Sequence, residues 1–220
     1  MGVSMPLYSA DALILRTYKL GEADRIVVFL TRDRGKKRGV AKGARRQKSN
    51  FVGALEPLTH ARVAYFERER RELVNLNYSE ASRSVLSSGT IEGLGCATYF
   101  AELIDEWAAE SHEDERLYRL GVSMVEAIAA GVPSEPLTRY FEYWLLSLQG
   151  VYPAGRVTSL SPEAQAFLTA ARKIGPQDLT GMTASRTMLR ELESLHRSII
   201  AAHLEREPRS IKVLKDMTRL

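Results

Sequence analysis

The chain has 220 residues, 45% of them apolar and 26% charged, an ordinary globular balance with enough length for one large or two small domains. No apolar run approaches the roughly 20 residues of a membrane helix. The opening MGVSMPLYSA has no charged-then-apolar leader and carries Pro6 where a myristoylation motif wants Ser or Thr, so a cytoplasmic location is expected. The single cysteine, Cys96, excludes an internal disulfide and a cysteine-based zinc site; in its apolar, helix-like setting it reads as a buried structural thiol.

In chain order, the first 80 residues alternate with a period near two, the period of strands. Ala12 to Arg16 reads as a first strand, a break follows at Gly21 to Asp24, and Arg25 to Thr31 reads as a second, buried one. A turn at Asp33 to Lys36 leads to a third strand at Arg38 to Ala41. Leu58 to Phe66 and Leu73 to Tyr78 supply a fourth and fifth, with Glu67 to Arg71 as a charged hairpin turn. Five short strands in such a length predict a closed barrel of the OB or SH3-like kind, because closure removes exposed sheet edges.

The segment from Arg32 to Lys48 stands out. It holds nine Lys or Arg against Asp33, a net of +8 in a chain whose total is +4, so everything else sums to −4. Such a cluster is expected at the surface, because an unpaired buried cation costs several kcal/mol. A polyanion is its natural complement. The plain alternative is a solvated loop kept basic for solubility. Gly35, Gly39 and Gly43 favour contact, since they let the backbone approach a ligand closely. The spacing of a nucleoside-triphosphate loop is absent. An OB barrel would lay a single strand along a basic groove with rings stacking on bases. Tyr18, Phe51, Tyr65 and Phe66 are the candidate rings, Phe51 first because it adjoins the basic run, although a core position is the commoner fate of each.

After Glu80 the period changes to that of helices. Helices are predicted over Ile91 to Ala109 and Glu115 to Ala130, then one capped by Ser134 with a Leu137, Phe141, Trp144, Leu148 stripe. A fourth is opened by Ser161-Pro162 and closes before Gly175-Pro176, a fifth begins at Thr183, and a short segment runs from Ser210 to Met217. The fold class is therefore α+β, two-domain: an N-terminal five-stranded OB-type barrel over residues 1–81 and an all-α domain over 82–220. No catalytic constellation emerges. His60, His112, His196 and His203 lack metal-ligand spacing and read as surface or helix-end residues. Glu102, Asp105 and Glu106 read as a solvated helix face, extended by Glu110, Glu113, Asp114 and Glu115, where a basic partner or the chain's own basic loop could dock.

Particular residues carry a family resemblance. Ala12 to Arg16, Leu20-Gly21-Glu22-Ala23-Asp24-Arg25 and the strand to Thr31 resemble the opening of the bacterial RecO family. Val40-Ala41-Lys42-Gly43-Ala44-Arg45-Arg46-Gln47-Lys48-Ser49, then Gly53 to Leu58, is similar to its most distinctive stretch. Leu195 to Ser198, His203-Leu204, Arg209-Ser210 and Val213-Leu214 are similar, more weakly, to its last helix. The resemblance implies an OB barrel plus a helical domain and a non-enzymatic DNA-repair role without cofactors. It implies binding of single- and double-stranded DNA, annealing of complementary strands, and, with RecR and in some bacteria RecF, loading of RecA onto DNA coated by single-stranded DNA-binding protein (SSB). It also implies docking of the C-terminal tail of SSB, for which Arg139, Arg172, Lys173, Arg186 and Arg190 are candidate cations. Many members carry a four-cysteine zinc module after the helix matching Tyr140 to Leu148. Here Gly150 to Ser161 has no cysteine, so no zinc is expected.

Arg34, Lys36, Lys37, Arg38, Lys42, Arg45, Arg46 and Lys48 are the expected phosphate contacts. If about five cations engage a single strand, binding should fall with salt at a log–log slope of roughly −3 to −4, with little sequence preference. The competing reading is an RNA- or ribosome-associated OB protein using the same loop.

Overall fold

The computed structural model describes residues 6–67, 72–88, 90–153, 155 and 159–217. Strands β1 (Leu7–Leu20), β2 (Asp24–Thr31), β3 (Gly35–Ala41), β4 (His60–Phe66) and β5 (Leu73–Arg83) close into a barrel in the order β1-β2-β3-β5-β4, with β3 and β5 parallel and the other pairs antiparallel. This is an OB-type barrel. Its interior is the inward half of each alternating strand, including Ile14, Val27, Phe29, Val63, Tyr65 and Leu76. Phe51 and Leu55, from the connection between β3 and β4, plug one end of it. The charged turn expected at Glu67 to Arg71 lies, after Glu67, outside the described residues.

β1 is longer than the apolar run alone suggests, because Ser9 and Asp11 adjoin the buried Ala10 and Ala12 on the stretch paired with β4, and the polar end from Arg16 to Leu20 is held by its pairing with β2. It also carries a bulge. Ile14 pairs with Phe29 and Arg16 with Val28, which leaves Leu15 as an extra residue. A bulge of this kind re-aims the side chains beyond it. Without it Arg16 and Tyr18 would continue the inward set of Ala12 and Ile14; with it they join Val28 on the outer face.

Six helices follow: α1 (Ile91–Trp107), α2 (Glu115–Ala129), α3 (Ser134–Leu148), α4 (Pro162–Ala171), α5 (Arg186–Leu204) and α6 (Ser210–Met217). Thr90, Asp114, Ser161 and Ser185 each accept a backbone N–H of the helix they open. Ser134 does not cap α3, as its sequence position suggests; it is the first helical residue, and Pro133 precedes it without a side-chain bond. Part of the connection from Gly150 to Ser161 lies outside the described residues.

Barrel and helices share one core. Leu13, Leu15, Val28 and Leu30, on the outer face of β1 and β2, are continuous with Phe100, Ile104, Leu117 and Phe141 of the helices. Gly121 of α2 permits this approach, since a Cβ there would sit 2.4 Å from Leu13 Cδ1. The chain between α1 and α2 is also drawn onto the barrel. β5 pairs only with Arg38 to Ala41 of β3, and residues 109–111 take up the unpaired half, with Lys36 N–H donating to Ala109 O (3.4 Å) and Ser111 N–H to Lys36 O (3.0 Å). That pairing is why α1 stops at Trp107 instead of reaching Ala109. Gly35 is required at the junction: its φ is +67°, and a Cβ would lie 2.2 Å from the His112 carbonyl oxygen.

Candidate nucleic-acid interface

The basic run is contiguous in sequence and divided in space. β3 lies in its middle, and seven residues at about 3.3 Å each separate its ends by roughly 20 Å. The cations before and within β3 are engaged within the fold, Arg32, Lys36 and Arg38 by the helical domain, Lys37 by both domains and Arg34 by the barrel. Lys36 is buried, with its Nζ 2.6 Å from the carbonyl oxygen of Asp105 and 3.3 Å from its carboxylate. Lys37 is buried too, donating to Glu67 at 2.7 Å and to the Ser111 hydroxyl at 3.2 Å. Arg38 pairs with Glu110 at 2.8 Å and Arg32 with Glu115 at 3.2 Å. Arg34 lies over the Tyr8 ring at 4.0 Å.

The acidic run of the helical domain is therefore no solvated face at its centre. Asp105 is buried between Lys36 and Arg16, the latter 2.9 Å away. Glu102 accepts the backbone N–H groups of Arg209 and Ser210 at the start of α6. The chain's own basic strand occupies the place a basic partner would take.

Beyond β3 the picture reverses. Lys42, Arg45, Arg46 and Lys48 are exposed on the loop leaving the barrel, and among the described residues no ion pair involves any of them. The loop is shaped by backbone contacts. Asp24 accepts the Gly43 N–H at 2.8 Å, and Arg45 Nη1 donates to the carbonyls of Gly21 (3.0 Å) and Glu22 (2.8 Å), tying the loop to the β1–β2 turn. Arg45 thus braces the loop with one arm, while Lys42, Arg46 and Lys48 line a groove with Val40, Asn75 and Asn77.

Of the candidate rings, Phe51 and Tyr65 are buried inside the barrel, at 6% and 0% exposure, and cannot stack on a ligand. Phe66 is half-buried. Tyr18 is 45% exposed.

The helical domain offers a second cationic feature. Arg139, Arg186 and Arg190 line one groove of about 560 Å³ with Lys215, Leu189 and Ile211. Arg172 and Lys173 do not belong to it. Arg139 is 8% exposed, and its Nη1 lies 2.9 Å from Glu142 Oε2 as an ion pair without hydrogen-bond alignment. Glu142 is itself buried. Its Oε1 accepts the Tyr99 hydroxyl at 2.8 Å, and its Oε2 accepts Nδ1–H of His196 at 3.0 Å. His196 Nε2 in turn accepts the Tyr152 hydroxyl at 3.0 Å, the tautomer being set by these partners. Burial is the largest influence on this imidazole and holds its pKa below the usual value, against the opposing pull of Glu142. His196 is a core residue, not the surface or helix-end histidine expected; a histidine on the buried stripe of α5 is the signal that pointed there. His203 does lie at the surface, stacked on Trp107. Burial pushes the Cys96 thiol up to about 11, opposed by a contact with the Thr138 hydroxyl, as befits a structural thiol. Among the described residues no group of three or more His, Cys, Asp or Glu could hold a metal ion, and no helix is long and apolar enough to cross a membrane.

Residues 5–85 match the family model described as Recombination protein O N terminal, and residues 88–156 match Recombination protein O C terminal. DNA repair protein RecO of Koribacter versatilis is 38% identical over 148 residues, 67% of this chain and 60% of the relative. The protein of that name from Bifidobacterium adolescentis is 38% identical over 156 residues, 70% of this chain and 63% of the relative. That from Symbiobacterium thermophilum is 34% identical over 154 residues, 68% of this chain and 59% of the relative. The matched stretch spans about six-tenths of the length of each.

Proposed function

The chain belongs to the RecO family, and from that premise we propose that it is a non-enzymatic DNA-binding recombination mediator that acts through the loop from Lys42 to Lys48. One observation carries this reading. Four cations stand exposed at the mouth of an OB-type barrel, without ion-pair partners among the described residues, while the other cations of the same run are engaged with carboxylates or with the Tyr8 ring. Phosphates recruit such a group by releasing counterions, and they carry no base information, so single and double strands are bound with little sequence preference. Arg34 and Arg38, exposed but already engaged with Tyr8 and Glu110, add to the field; Lys36 and Lys37 hold the domains together instead.

Annealing requires two polyanions to approach against their own repulsion, and a cationic loop lowers that cost without any bond being made or broken. With RecR, and in some bacteria RecF, the protein assists RecA onto SSB-coated DNA. The groove of the helical domain suits the tail of SSB: Arg186 and Arg190 for its carboxylates, Arg139 and Lys215 being already paired with Glu142 and Glu193, and Leu189, Ile211 and Leu214 for its apolar end.

The test is annealing of complementary oligonucleotides, bare and SSB-coated. The protein is expected to accelerate annealing of bare strands without nucleotide or metal, and of coated strands only when SSB retains its C-terminal tail. Failure to accelerate bare strands would overturn the annealing role. Equal acceleration with tail-less SSB would overturn the groove. Preferential capture by RNA of equal length would turn the reading toward an RNA-binding protein.

A further inference from the structure

The outer face of the barrel carries a continuous row across four strands. Tyr18 of β1 is in register with Ile26 of β2, Ile26 with Val40 of β3, and Val40 with Asn75 of β5. Residues directly opposite one another on paired strands share a face, so these four side chains form one strip. The next row, Arg16, Val28, Arg38 and Leu73, lies on the same face and runs under the helical domain at Val28. The row of Tyr18 escapes that cover: Tyr18 is 45% exposed, and Ile26, Val40 and Asn75 are all partly exposed.

Both ends of the strip are defined. At the far end Val40 and Asn75 line the groove that holds Lys42, Arg46 and Lys48, so the apolar row runs into the cationic loop. At the near end Tyr18 is held by its neighbours. Arg16 Nη1 donates to the Tyr18 hydroxyl at 3.1 Å, and Arg16 is itself anchored by Asp105 at 2.9 Å and by Glu106. Two strand spacings, about 10 Å, separate Tyr18 from Val40. The bulge at Leu15 is what places the ring here instead of inside the barrel.

Resting on the reading of the loop as a DNA contact, we propose that a single strand crosses the sheet along this row, with an unpaired base stacked on Tyr18 and its phosphates on Lys42, Arg46 and Lys48. The occupant follows from the chemistry. An apolar strip with an exposed ring takes the face of a base, and the adjoining cations take the backbone. Duplex DNA hides its base faces within its own stack and can use only the cations. Tyr18 is therefore the residue by which the protein tells an unpaired strand from a paired one, and the Asp105–Arg16 pair is what presents it.

The experiment measures binding of a labelled single strand and of the corresponding duplex to the full chain, with Tyr18→Ala and Tyr18→Phe beside the native protein. Tyr18→Ala is expected to weaken single-strand binding about tenfold, within the roughly 5- to 150-fold range that a lost base–aromatic contact spans, and to leave duplex binding within twofold. Tyr18→Phe is expected to restore most of the loss, since it keeps the ring and forfeits only the hydroxyl contact to Arg16. Equal loss for both DNAs, or no loss for the single strand, would overturn the stacking role while leaving the cationic loop standing. A native protein that binds neither DNA would overturn the reading beneath it as well.

Discussion

Changing Lys42, Arg46 and Lys48 together to Glu is expected to weaken single-strand binding by roughly two orders of magnitude or more, because three attractive phosphate contacts become three repulsive ones. The fold should tolerate it. All three side chains are exposed and none has an ion-pair partner among the described residues, and exposed substitutions of this kind usually stay within about 0.5 kcal/mol. At that limit for each of the three, the melting temperature should move by less than about 6 °C. Arg45 is left in place deliberately. The run of charges suggests Lys42, Arg45 and Arg46 as the obvious set, but the Arg45 guanidinium holds the carbonyls of Gly21 and Glu22, so its loss would disturb the loop as well as its charge. Binding by anisotropy and thermal melting, read together, settle it: retained affinity in a folded variant removes the loop from the account.

The second large effect lies far from DNA. Glu142→Ala removes the one carboxylate that Tyr99, Arg139 and His196 all face. What is left is a buried guanidinium and a buried imidazole without their partner, and breaking such a pair from one side costs about 3–5 kcal/mol. A protein of this size would lose about 6–20 °C of melting temperature, or fail to fold. Replacement of His196 by Gln separates the contributions. The folded-state pKa of His196 is depressed, so below its unfolded value near 6.5 the unfolded chain takes up a proton that the folded chain refuses. Stability from this group is present above that pH and is lost as pH falls toward the folded pKa. The native protein should lose stability on acidification below about pH 6.5, and the His196→Gln variant should show a flatter profile. A native melting temperature unchanged between pH 7.5 and 5.5 would contradict that assignment.

Much of this was legible in the residues because local pattern and tertiary environment agree. The continuous apolar run from Arg25 to Thr31 and the helical stripes of α1 to α3 place the elements, and the excess of charge from Arg32 to Lys48 marks the segment that contains the loop. Charge counting could not see that β3 is a 20 Å spacer. A charge run carries no information about which of its members meets a carboxylate contributed by Asp105 or Glu110, about 70 residues away. Phe51 adjoins the basic run in sequence, yet that adjacency leads into the barrel plug, while Tyr18, an exposed ring, owes its position to a one-residue bulge that shifts the alternation of β1. Asp105 and Glu106 are neighbours of the same type. One is buried against Lys36 and the other is exposed, a difference fixed by the packing of α1 on the barrel.

On the proposed reading of the loop as a DNA contact, the division of the basic segment also sets how many cations remain for phosphate. With Lys36 and Lys37 buried in ion pairs, Arg32 and Arg38 engaged by Glu115 and Glu110, and Arg34 over the Tyr8 ring, four of the nine are left, Lys42, Arg45, Arg46 and Lys48. The most direct measurement is the salt dependence of single-strand binding by the native protein. About four phosphate contacts predict a log–log slope near −3. A slope between 0 and about −1 would contradict the account, since it would mean that the loop does not neutralise phosphate.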